Sequence, residues 1–92
     1  MYEIVFSHRF KKMREKLLKS GSYNDSLLKT VTGHLATGKK LDQKLHDHEL
    51  SGNMSGYREF HLSGDLVVVY EIDQRLGYVT LTAIGNHANL FE

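Results

Sequence analysis

Apolar and polar positions alternate with period two over residues 2–6, where Tyr2, Ile4 and Phe6 oppose Glu3 and Val5, and this predicts a short first strand. At Ser7 the period changes. The Ser7 hydroxyl can accept a hydrogen bond from a free N–H in the first turn of a helix, and Phe10, Met13, Leu17 and Leu18 then recur at helical spacing. Arg9, Lys12, Arg14, Glu15 and Lys16 fill the other faces, and Ser20 and Gly21 end the helix. Asn24 or Asp25 caps a second helix with Leu27, Leu28, Val31 and Leu35 along one side and Gly38 as its stop. So short a connection predicts an antiparallel helical hairpin, and since each helix offers only a stripe, the pair needs a sheet beneath it.

After a basic, aperiodic loop over residues 38–44, period two returns. Residues 57–62 set Tyr57, Glu59 and His61 on one face and Arg58, Phe60 and Leu62 on the other. Residues 66–72 are nearly all apolar, as in a central strand covered on both sides; a turn at residues 73–77 then leads into a partner strand over 78–84. Residues 46–50 form a further short strand candidate. The expected fold is α+β in β-α-α-β-β-β order, with an antiparallel sheet of three to five strands packed against an N-terminal two-helix hairpin.

Length confines this to one domain, residues 1–92, with one modest core. The absence of cysteine excludes a disulfide framework and a thiolate metal site, and no apolar run approaches the ~20 residues of a membrane helix. The expectation is a cytoplasmic chain without a membrane partner. The net charge of +1 conceals an asymmetry: residues 1–44 carry about +6 and residues 45–92 about −5. A basic half can attract a polyanion while the other half supplies acids and bases, although solvated helices with ordinary lysines give the same count.

Histidine sharpens the picture, because four of the six fall in two short segments. His46, His48 and His61 lie in HDHELSGNMSGYREFHLSGD with four carboxylates, and His87 lies in GNHANLF. Imidazole moves protons near neutral pH. His46 and His48 would share a side on a strand, but no further donors stand at metal-ligand spacing, so no cofactor is expected and His46 reads as a loop residue. Acid–base chemistry asks for less. Cleaving RNA without a metal needs a base for the 2′-hydroxyl, an acid for the departing 5′-oxygen and cations for the phosphorane-like transition state. His48, His61 and His87 suit the first two tasks, and Glu59 or Asp65 can orient an imidazole. Arg58 and the helical lysines can hold phosphates. Tyr57 and Phe91 can stack on unpaired bases. Plainer roles stand beside these: Arg58 and Glu59 as cross-strand contacts, Asp65 as a turn residue, Tyr57 as core, and Leu90 with Phe91 as cover for a sheet edge.

The pattern DHxLxGxxxGYRExH, carried by Asp47, His48, Leu50, Gly52, Gly56, Tyr57, Arg58, Glu59 and His61, is followed by Asp65, a strand ending VVYEI and the motif GxHxxLF. Together these resemble the YafQ branch of the RelE/ParE toxin superfamily. The resemblance implies a ribosome-dependent mRNA endonuclease with a microbial RNase fold, acting on ribosome and mRNA and held inactive by a cognate RelB/DinJ-like antitoxin. It also implies catalytic roles for His48, His61, His87, Glu59 and Asp65, and RNA-binding roles for Tyr57, Arg58 and Phe91. Two positions depart from the pattern. Leu66 replaces a common aromatic residue, and Ala83 stands at the family's arginine position; as a methyl group cannot neutralise phosphate, either the catalyst is impaired, another cation compensates, or the alanine was introduced. A non-catalytic interaction protein of the same fold is the rival reading. A ParE-like gyrase inhibitor accounts less well for the histidines, since it needs no proton shuttle.

Overall fold

The computed structural model describes residues 1–91 as an α+β fold with five strands in the spatial order β1-β5-β4-β3-β2. Strand β1 spans Glu3–Phe6, α1 His8–Ser20 and α2 Asp25–Ala36. The meander follows as β2 (His48–Glu49), β3 (Arg58–Ser63), β4 (Leu66–Asp73) and β5 (Tyr78–Asn86), and a short helix α3 (His87–Phe91) closes the chain. The helix boundaries follow from their caps. Ser7 Oγ accepts from the Phe10 N–H at 3.0 Å and Asn24 Oδ1 from the Leu27 N–H at 3.2 Å, while Gly21 takes the left-handed φ of 81° that ends α1.

The sheet is mixed, which departs from the antiparallel expectation. Strand β1 pairs in parallel with β5, from Glu3 opposite Tyr78 to Phe6 opposite Leu81, whereas every other pairing is antiparallel. The physical reason is the helical crossover, which leaves β1 at the free edge of the last strand, about 75 residues away in sequence. Within the N-terminal helical pair, α1 lies chiefly along β5, and α2 reaches β1. They are tied by Arg14, whose Nε and Nη2 donate to the two oxygens of Asp25 at 2.8 and 2.6 Å.

One face of the sheet holds the main core. Phe60, Leu62, Val68, Tyr70, Val79, Leu81 and Ile84 meet Phe10, Leu28, Val31 and Leu35 there. Met13, Leu17 and Leu27 are partly buried against it, but Leu18, at the margin of its stripe, is 48% exposed. The opposite face is where the polar rows lie. In-register pairing aligns His48, Glu59, Val69 and Ala83 across β2, β3, β4 and β5, and beside them His61, Val67 and Gly85. A register shift after Val69 leaves Thr82 unpaired, so that Ala83 rather than Thr82 joins the Glu59 row. The Thr82 carbonyl accepts from Ser7 Oγ at 2.9 Å, which anchors this shift to the start of α1. Among the described residues, no helix is long and apolar enough to cross a membrane.

Candidate active site

Period-two alternation sends Glu59 and His61 to the face away from the helices, and the β2 ladder sets His48 directly opposite Glu59. His87 arrives from the other side as the first residue of α3, after Asn86 Oδ1 accepts from the Asn89 N–H at 2.8 Å. Three imidazoles thus surround one carboxylate oxygen. Nε2 of His48, His87 and His61 stands 3.2, 3.7 and 3.9 Å from Glu59 Oε1. Glu59 is only 2% exposed, and its Oε2 has no hydrogen-bond partner among the described residues. The imidazoles keep 50% (His48), 37% (His61) and 61% (His87) of their side-chain surface open. A buried acid therefore lies beneath three solvent-facing bases, an arrangement in which charge on one ring is balanced at short range in a poorly hydrated setting.

The proton positions on His48 can be read from its partners. Its Nδ1 lies 2.7 Å from the His46 carbonyl oxygen, which can only accept, so Nδ1 carries a hydrogen. This leaves Nε2 facing Glu59 Oε1 at 3.2 Å.

His46 supplies this carbonyl from a left-handed conformation with φ of 51°, the one non-glycine residue so placed among those described. Its ring also stands edge-on to His61, with centroids 5.6 Å apart. Asp47, between the two histidines, turns to the helix side. There it accepts from Tyr70 Oη at 2.5 Å and from Arg58 Nη2 and Nε at 3.3 and 3.4 Å. Burial and then the bond to Asp47 push the Tyr70 phenol well above its ordinary range. This clamp fixes the segment that presents His48.

Not every expected residue joins the cluster. Arg58 lies on the opposite face, paired with Asp47 and with Glu49 Oε1 at 3.6 Å from Nη1. The lysines of α1 are likewise across the sheet. Asp65 is an exposed residue of the turn between β3 and β4. Tyr57 is half-buried before β3, where its N–H donates to the Met54 carbonyl and its own carbonyl accepts from the Leu50 N–H. The Phe91 side chain lies outside the described residues. Ala83 belongs to the Glu59 row but is only 2% exposed, and β4 separates its strand from that of Glu59 and His61. The sequence reading missed the roles of His46, Asp47 and Tyr70. The alternation His-Asp-His was the available signal, because it turns one acid away from two flanking imidazoles.

A family model described as the bacterial toxin of type II toxin–antitoxin systems, YafQ, matches residues 2–92. The chain belongs to the YafQ toxin family. Among solved structures it is similar to a metal-bound toxin from Helicobacter pylori, at 38% identity and a TM-score of 0.92, covering 99% of this chain and 100% of that one. It is also similar to YafQ from Escherichia coli strain BL21(DE3), at 25% identity and a TM-score of 0.86 with full coverage of both chains. In the E. coli DinJ–YafQ complex, a matching chain shares 26% identity with a TM-score of 0.85, again over all of both chains. No curated protein sequence matches. Among the described residues of this YafQ-family chain, no group of three or more histidine, aspartate or glutamate side chains is arranged to hold a metal ion.

Proposed function

We propose that this chain is the toxin of a type II toxin–antitoxin pair and a ribosome-dependent mRNA endonuclease that cleaves by metal-independent acid–base chemistry in the cytoplasm. The observation carrying this reading is the convergence of His48, His61 and His87 on the buried Glu59 Oε1. In the reaction an imidazole Nε2 takes the proton of the ribose 2′-hydroxyl, whose oxygen attacks the adjacent phosphorus. The P–O5′ bond breaks and the departing oxygen takes a proton from an imidazolium. The products are a 2′,3′-cyclic phosphate and a 5′-hydroxyl, with no net change in protons. Glu59 touches the imidazoles rather than the RNA, so it positions them and balances their charge.

The partner under this reading is a RelB/DinJ-like antitoxin, supported by the DinJ complexes of the E. coli relative. Co-expression with such an antitoxin should yield one species in size-exclusion chromatography; separate elution at micromolar concentration contradicts the partnership. Activity is tested by inducible expression and primer-extension mapping of ribosome-bound message, with single alanine changes at His48, His61 and His87. A non-catalytic, antitoxin-binding form has one observation in its favour, the methyl group of Ala83 where an arginine would stabilise developing charge. Message that stays intact with this chain but is cut once arginine stands at that position identifies the chain as the impaired form.

A further inference from the structure

The ladder between β2 and β3 ends at His48 opposite Glu59, so residues 60–63 of β3 have no strand partner on their outer edge. That edge borders an open hollow of about 950 Å³. Leu27, Leu45 and Leu62 give it an apolar wall, Lys44 stands at its rim, and His46 and His61 contribute ring surfaces. His48 lines the same space, which makes the hollow continuous with the Glu59 cluster.

Resting on the endonuclease reading, we propose that this hollow is a nucleobase subsite, which holds the base of a nucleotide flanking the scissile phosphate and sets the sequence preference of cleavage. A base is flat, apolar on its faces and polar on its edge, and the hollow offers the complement of each part. The leucines and the edge-on pair of imidazoles meet the faces, while the exposed end of β3 at Ser63 and Gly64 meets the polar rim. Lys44 meets the phosphate of the same nucleotide. The left-handed backbone of His46 has a role in this arrangement: it turns the carbonyl to His48 while the ring closes on His61. One residue therefore couples base contact to the histidine nearest Glu59.

The test uses four homotrinucleotides of 2′-deoxyribose, which lack the attacking hydroxyl and report binding without chemistry. They are titrated into the 15N-labelled protein and into His46→Asn, a change that tolerates the left-handed conformation and keeps the carbonyl but removes the ring. The expected result is saturable shifts at the amides of residues 60–64 and at the His61 ring, strongest with one base, and a roughly tenfold weaker affinity in His46→Asn. Lys44→Gln should weaken all four trinucleotides alike. The proposal is overturned if those amides do not shift at millimolar trinucleotide, if His46→Asn binds all four as the parent does, or if an antitoxin peptide shifts this edge and the trinucleotides do not. Failure of the wider reading looks different: trinucleotides bind here, yet ribosome-bound message stays intact with both the parent and Ala83→Arg.

Discussion

Removing one oxygen atom, by Tyr70→Phe, tests whether the Asp47 clamp holds the catalytic face in shape. Tyr70 is 1% exposed, with its ring 5.8 Å from that of Phe60, so the ring and its packing survive the change. What is lost is the 2.5 Å bond to a carboxylate that otherwise keeps only two longer contacts from Arg58, at 3.3 and 3.4 Å. A hydrogen bond to a charged group is worth about 1.5–3 kcal/mol, and the phenylalanine leaves almost no cavity. At roughly 4–8 °C per kcal/mol for a domain of this size, the melting temperature should fall by about 6–24 °C. Urea denaturation of Tyr70→Phe, Asp47→Asn and the double variant measures the coupling, which should exceed about 1 kcal/mol for groups in direct contact. The activity readout is separate. Since the clamp holds the strap that presents His48, message cleavage should drop about tenfold or more while Tyr70→Phe still melts cooperatively. A loss below about 0.5 kcal/mol, or additive single effects, refutes the clamp.

Ala83→Arg should raise cleavage of ribosome-bound message by about 10²- to 10³-fold, because a guanidinium there can extend along the row over Val69 towards the Glu59 cluster. As position 83 is buried, the change should also cost about 1–3 kcal/mol of stability, read by urea denaturation; unchanged cleavage by a folded variant places the compensating charge elsewhere. At the acid end, the Arg14 hydrogen bonds hold the Asp25 carboxyl below its ordinary value of 3.8, so their contribution is present above that value and lost as pH falls. Arg14→Leu should flatten this acid limb in pH-dependent unfolding. At the alkaline end the sign reverses, because burial holds the Tyr70 and Tyr23 phenols above 10.0: their contribution is complete below about pH 10 and lost as pH climbs, and Tyr70→Phe should lessen the alkaline loss.

Local chemistry was legible in the sequence where it depends on near neighbours. The Ser7 and Asn24 caps, the alternation that sets Glu59 and His61 on one face, and the apolar β4 all follow from contacts a few residues long. The parallel pairing of β1 with β5 was not legible, because nothing near Glu3 specifies a partner about 75 residues away. The same limit hid the site's third dimension. Sequence placed His48, His61 and His87 in one candidate chemical group but could not show that they converge on a single oxygen, nor that Arg58, one residue from Glu59, faces the other way. The setting of Ala83 was not legible either: a one-residue register shift at Thr82 makes it the buried end of the Glu59 row.

Under the proposed function, the three imidazoles around Glu59 perform acid–base cleavage of RNA. The most direct measurement is the rate of message cleavage on purified ribosomes at controlled magnesium, across pH, for the parent and for His48→Ala, His61→Ala and His87→Ala, with and without a chelator selective for zinc and copper. The expected result is a bell-shaped pH profile for the parent, a loss of about 10²-fold or more for the variants that remove the base or the acid, and no effect of the chelator. Cleavage that survives all three substitutions, or that the chelator abolishes and zinc or copper restores, would contradict it.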